Sequence, residues 1–257
     1  MIQLKSAREL EKMREAGRHV GEILLLLREL ARSGVTTGEL NDAAASEISA
    51  RKLGSSFLGY TAGGAPAYPA VLCASINEEI VHGIPGDRAL AEGDLLKLDF
   101  GVIFQGFHGD SAVAFPIGEV PEPVLRLQEA TLCGLYAGVE QMVPGNRLGD
   151  VSNAVQAEVE GAGFTVVRDF VGHGIGREMH EPPQVPNFGR EGRGPRLRAG
   201  MVLAIEPMVN LGTAEVEVLD DGWTAVTADG ACSCHFEHTV AITSEGPQIL
   251  TKVAGSH

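Results

Sequence analysis

Three segments of the first half of the chain recur in the same order in the second half. That repetition limits the architectures open to the chain more than any single motif does. Gly34-Val-Thr-Thr-Gly38-Glu-Leu is echoed by Gly145-Asn-Arg-Leu-Gly149-Asp-Val, and VHGIPG around His82 by GHGIGR around His173. Gly93-Asp-Leu-Leu-Lys-Leu-Asp99 is echoed by Gly200-Met-Val-Leu-Ala-Ile-Glu206, with the acid six residues after the glycine in both. Each half therefore supplies helices, then a His-Gly-Ile, then an apolar strand carrying one carboxylate. The pattern implies a duplicated α+β unit: one domain over 1–257, with halves at about 1–118 and 119–257 folded face to face. Its chemistry is expected at the pseudo-twofold seam.

Local signals place the elements. Ser6 and Glu9 form a capping box, and apolar residues recur at Leu10, Met13, Val20, Ile23, Leu24, Leu27 and Leu30. This reads as a long amphipathic helix closed by Gly34. Thr36 with Glu39 opens a second helix, expected to run to about Gly54. A Gly, Ala and Pro-rich loop over 59–69 follows, then a strand over 95–100. Helical periodicity returns twice between Pro121 and Val159, and strand-like runs follow at 164–167, 201–205 and 239–243.

Composition removes several classes of function. A formal charge of −14 argues against a nonspecific nucleic-acid binder, since phosphate contacts need clustered Lys and Arg. The arginines at 190, 193, 196 and 198 read as a solvated loop. Four cysteines in 257 residues do not build a disulfide framework and fit a reduced, cytoplasmic compartment. Cys232 and Cys234 have no second cysteine pair to complete a metal site and read as small core residues. The apolar run from Ile23 to Leu27 is too short to span a bilayer, and the N-terminus shows no signal peptide.

The chemistry lies in a few acids on apolar strands. Asp99 in LLKLDFG, Glu206 in MVLAIEP and Glu237 in CHFEHTVAI are costly there unless paired or metal-bound. Strand alternation offers Lys97 as a same-face partner for Asp99, whereas Glu206 has no basic neighbour within its strand. Asp110 follows Asp99 by eleven residues, a spacing that fits adjacent strands joined by a turn. His173, between Gly172 and Gly174, adds an imidazole on backbone that permits close approach. Four crowded carboxylates repel, and two divalent cations would offset that repulsion. An oxygen-rich set with one histidine suits Mn, Fe, Co or Zn.

Together VHGIPG, the Asp99/Asp110 pair, GHGIGREMHEPP, IEPM and FEHT resemble the methionine aminopeptidases of the pita-bread (creatinase/aminopeptidase) superfamily. The resemblance covers about residues 3 to 252 and is closer to the type I form. It implies an antiparallel sheet covered by helices and an enzyme that hydrolytically removes initiator methionine from nascent proteins, preferring a small second residue. It also implies two divalent ions held by Asp99, Asp110, His173, Glu206 and Glu237, with Asp110 and Glu237 shared between them. Glu206 would move protons, His180 would donate to the scissile carbonyl oxygen, and His82 would contact the amide nitrogen. The methionine pocket maps onto Phe57, Tyr60, Tyr68, Cys73, Met179 and Trp223. Two positions depart from the family pattern. The segment from Gly63 to Pro66 lengthens the loop before Tyr68, and Met179 stands where an aromatic is commoner.

A monovalent cation at Asn77 and Ser233 is implied as well. The expected partner is the N-terminal peptide of nascent chains, met in the cytoplasm by a monomer that binds neither nucleic acid nor membrane. Docking at the ribosome is left open. Two alternatives share the fold: an Xaa-Pro aminopeptidase or dipeptidase, and a binding protein that has lost catalysis. The absence of a large N-terminal domain speaks against the first, and the full set of five ligands against the second.

Overall fold

Helix α1 spans Ala7–Leu30 in the computed structural model, which describes residues 2–254. Its capping box is present: Ser6 Oγ accepts from the Glu9 amide, and Glu9 Oε2 accepts from the Ser6 amide. Met13, Val20, Ile23, Leu24 and Leu27 line its buried stripe at helical spacing. The helix stops at Leu30, and Gly34, with φ of 90°, forms the turn into α2, Thr37–Arg51. Helix α2 ends earlier than expected, at a left-handed Lys52. Gly54 and Ser55 already pair with Ile103 and Val102 as a short strand. Helices α3 (Glu122–Glu140) and α4 (Leu148–Gly161) form the second pair.

The repetition in the sequence is also a repetition of hydrogen bonds. The Gly34 amide donates to the Leu90 carbonyl at 2.8 Å, and the Gly145 amide to the Leu197 carbonyl at 3.1 Å. Thr37 to Arg88 is matched by Leu148 to Pro195, and Leu90 to Val35 by Leu197 to Asn146. Each helix-to-helix turn is thus stitched to the segment that leads into an acid-bearing strand. Gly93 and Gly200, with φ of 95° and 91°, follow those stitched residues and turn the chain into the two strands. Each helix pair covers its own apolar cluster: Val20, Leu24, Leu40, Leu96 and Phe100 in one, Leu135, Val151, Val159, Leu203 and Ile205 in the other. The His-Gly-Ile echo is looser. His173 lies inside the main sheet, whereas His82 follows the strand Glu79–Val81 in the left-handed region, with φ of 62°.

Among the described residues, nine strands form the main antiparallel sheet. From one edge the order is Gly54–Ser55, Leu95–Phe104, Phe107–Pro116, Glu237–Thr243, Val202–Ile205, Gly172–Gly174 and Glu181–Val185. Cys73–Ile76 also pairs with Leu95–Phe104, and Gly246–Ile249 with Glu237–Thr243. Gln105 and Gly106, both at positive φ, make the two-residue turn whose twist matches that of the flanking strands. The eleven-residue spacing therefore sets Asp110 opposite Gly101 and Asp99 opposite Ala112 on neighbouring strands. The run at 164–167 is shorter than expected. It contributes only Thr165–Val166, to a separate three-stranded sheet with Met208–Asn210 and Ser233–His235. Among the described residues no helix is long and apolar enough to cross a membrane.

Candidate active site

Both halves of the main sheet deliver a carboxylate to one place. Asp99 sits mid-strand between Cys73 and Ala112, and Glu237 opens its own strand opposite the same Ala112. Glu206 follows Val202–Ile205, and His173 pairs with Ala204 of that strand. The glycines flanking His173 are required by close approach. A Cβ on Gly172 would lie 2.4 Å from the Ala204 carbonyl oxygen, and one on Gly174 would lie 2.5 Å from that of Pro182.

The donor set fits a cation. Asp99 Oδ1, Asp110 Oδ1 and Glu237 Oε1 are buried and accept no hydrogen bond, a cost that positive charge would remove. Ligand atoms of Asp110, His173 and Glu237 all lie within 4.8 Å of one another. His173 Nδ1 donates to the Gly174 carbonyl at 2.9 Å, which leaves the Nε2 lone pair 3.5 Å from Glu206 Oε1. Without a cation, burial and then the neighbouring acids push Asp99, Glu206 and Glu237 well above the carboxylate range. Burial likewise pushes Asp110 up to about 7, and it holds His173 down at about 3, so that imidazole is neutral and ready to ligate.

Beside the acids lies a cavity of about 320 Å³. The six residues mapped to the pocket, Phe57, Tyr60, Tyr68, Cys73, Met179 and Trp223, all line it, together with His82 and His180. The long loop does not displace Tyr68, whose hydroxyl has the Gly83 and Leu72 carbonyls as acceptors for its one hydrogen, at 3.0 and 3.2 Å. Pro66 of that loop accepts from Trp223 Nε1 at 2.8 Å. Trp223 meets Tyr68 and His82 edge-on, with ring centroids 5.2 and 6.0 Å apart. His180 stands at the mouth, 4.2 Å from His173 between ring centroids, and its Nδ1 is 2.6 Å from the Tyr60 hydroxyl. Burial lowers its pKa and takes that of His82 to about 4.

Some expectations need revision. Lys97 does not pair with Asp99: its Nζ donates to the Asn77 carbonyl at 2.7 Å and to the Ser233 carbonyl at 2.9 Å. Those two oxygens, as they stand, do not fit a separate monovalent ion. Phe170, Val171 and Met208 also line the cavity and were not picked out from the sequence. Phe170 stacks edge-on against His82 at 5.4 Å. Its only sequence signal is a position three residues before His173.

A curled antiparallel sheet that gathers buried carboxylates and one neutral imidazole beside a deep apolar cavity defines a metallopeptidase. Residues 11–244 match metallopeptidase family M24, and the chain belongs to that family. The methionine aminopeptidase of Clostridium perfringens is 51% identical over 98% of this chain and 100% of its own length. The crystal structure of methionine aminopeptidase from Thermotoga maritima superposes with a TM-score of 0.94 at 44% identity, covering 98% of this chain and 100% of that one. Within M24 the chain therefore falls among the methionine aminopeptidases, and it is a hydrolase. The prolidase from Pyrococcus horikoshii shares the fold alone, with a TM-score of 0.74 at 21% identity over 97% of this chain and 63% of that one.

Proposed function

We propose that the chain releases the N-terminal methionine of peptides and nascent proteins, with a small second residue preferred, through two divalent ions held by Asp99, Asp110, His173, Glu206 and Glu237. The observation that carries this reading is the set of unpartnered buried oxygens of Asp99, Asp110 and Glu237 on the wall of an apolar cavity. Divalent ions bound there would acidify a water and polarise the scissile carbonyl, and Co, Mn, Fe and Zn all suit the donor set.

The chain's own groups do the rest. Glu206, half-buried beside His173, takes the proton of the attacking water in its carboxylate form and returns it to the departing amine. Tyr60, whose phenol burial keeps protonated, donates to His180 Nδ1 and so fixes the ring proton on Nε2. His180 Nε2 then donates to the carbonyl oxygen as charge develops. His82 holds the amide nitrogen. Its neutral ring, wedged between Phe170 and Trp223, carries no charge to repel the substrate amine.

Specificity follows from the walls. Phe57, Tyr68, Cys73, Met179 and Trp223 form one buried apolar cluster. Burying a methionine side chain there is worth about 1.5–3 kcal/mol, which alanine does not gain. A long residue after methionine would crowd His82 and the acids. On this reading the chain acts as a cytoplasmic monomer that meets nascent chains at the ribosome or after release. The test is peptide release by Mn- or Co-loaded protein. Met-Ala-Ser should be cut well, Met-Lys-Ser poorly and Ala-Pro-Ser hardly at all, with chelator abolishing the activity and added metal restoring it. Better cleavage of Ala-Pro-Ser would overturn the substrate assignment, and inertness with every metal would overturn catalysis.

A further inference from the structure

Two main-chain carbonyls from distant parts of the chain, Asn77 and Ser233, converge on one point deep in the protein, and the Lys97 ammonium fills that point. Lys97 is 1% exposed and its two acceptors are neutral carbonyls, not carboxylates. Asn77 also accepts from the Ser233 amide at 2.9 Å, so the same carbonyl is used twice. The Asn77 backbone is left-handed, with φ of 53°, and its side chain is pinned to the Leu95 amide and to Asp94. These bonds fix the direction of its carbonyl before Lys97 arrives.

Converging carbonyl oxygens are the surroundings that hard cations take, and an ammonium is a compact cation with three donors. We propose that Lys97 is a built-in cation: it takes the place of a dissociable monovalent ion and positions three walls of the active site at once. Its own strand carries Asp99 two residues on. The Asn77 turn joins Cys73–Ile76 to Glu79–Val81, which hold Cys73 at one end and His82 at the other. Ser233–His235 runs through Phe236 into Glu237. One tethered charge therefore fixes a metal-side acid, the cavity wall and the second-half acid relative to one another. Because the cation is covalently attached, its occupancy does not depend on solution sodium or potassium. This inference assumes the peptidase reading for its activity assay, but not for its stability assay.

The test uses the full chain, divalent-loaded for turnover and metal-free for thermal unfolding, in sodium, potassium or choline chloride at equal ionic strength. The wild-type protein should show the same kcat and the same Tm in all three salts. Lys97→Ala, which takes the ammonium from both carbonyls and leaves Asn77 only the Ser233 amide around a small void, should lose kcat by about tenfold in choline, the scale of one hydrogen bond from a charged group. Sodium or potassium should restore much of both kcat and Tm. Lys97→Met fills the void without charge and should lose activity without rescue by any salt. A wild-type protein that gains activity and stability from sodium or potassium over choline would overturn the proposal. So would a Lys97→Ala deficit that is equal in all salts, which would leave Lys97 a packing residue, or a Lys97→Met variant with wild-type kcat and Tm. A salt-independent wild-type Tm and a Lys97→Ala Tm restored by sodium or potassium, with no peptide cut by any variant, would sink the peptidase reading and leave the built-in cation standing.

Discussion

The Tyr60 hydroxyl lies 2.6 Å from His180 Nδ1 although the two residues are 120 positions apart. The contact couples a wall of the apolar cavity to an imidazole that stands 4.2 Å, centroid to centroid, from His173. With the phenol donating its hydrogen to Nδ1, as proposed, the ring proton sits on Nε2 and is free to be donated. On the proposed reading, binding the side chain and stabilising the carbonyl oxygen are joined in one pair.

Tyr60→Phe should therefore lower kcat by about 2- to 12-fold, the range for one lost hydrogen bond, while KM for a methionyl peptide changes little. The ring that packs near Trp223 survives in phenylalanine. His180→Ala should cost more, about 10²–10³-fold in kcat, the scale of one oxyanion donor. In the double variant the Tyr60 effect should vanish, since its target is gone. Steady-state kinetics on the four proteins checks this. Additive losses would show that Tyr60 acts on the substrate directly and not through His180.

Proton linkage gives a second expectation. In the metal-free protein burial raises all four carboxylates, with Asp110 at about 7. A group raised on folding stabilises the folded state below its unfolded pKa, near 4, and loses that contribution as pH climbs through its folded value. Metal binding must displace those protons, whereas His173, held at about 3, has none to release. The rise in Tm on adding Mn or Co should therefore be larger at about pH 7.5 than at about pH 5.5, with proton release detectable in weak buffer. A metal-induced shift that is flat across that interval would contradict the buried-acid account.

Much of this arrangement is legible in the sequence because it rests on local rules. The capping boxes, the paired glycines at 34 and 145 and at 93 and 200, and the acids on apolar strands each have a physical reason that one segment displays alone. What escapes is decided between segments. Phe170, Val171 and Met208 look like core residues, and only the fold shows which apolar side chains face a cavity and which face one another. Alternation places Lys97 on the same face as Asp99, but the reach of a four-carbon stem carries its charge to carbonyls of two other segments. The stop of α1 at Leu30 was hidden for a related reason. Gly34 serves the turn and its bond to Leu90, not the cap, and that bond spans 56 positions.

The last expectation separates what the site needs from what the fold needs. Asp110 is buried beside Asp99, and its Oδ1 has no partner. Its main chain is secured independently: the amide donates to Thr239 Oγ1, and the carbonyl accepts from the same hydroxyl. Asp110→Asn keeps the shape and those backbone bonds, removes one charge from a crowded set, and supplies an NH₂ that neighbouring carboxylates can accept. At pH 8, where Asp110 is ionised in the metal-free protein, the substitution should raise the metal-free Tm by about 2–4 °C, the shift that ~1 kcal/mol produces in a chain of this size. The same variant should bind less metal and lose most of its peptidase activity, because a neutral amide is a poor ligand for a hard cation. Differential scanning of the metal-free protein and metal analysis of the loaded one would read the two effects separately. A variant that unfolds more easily without metal would mean that Asp110 serves the fold, and one that keeps two ions and full activity would remove it from the metal centre.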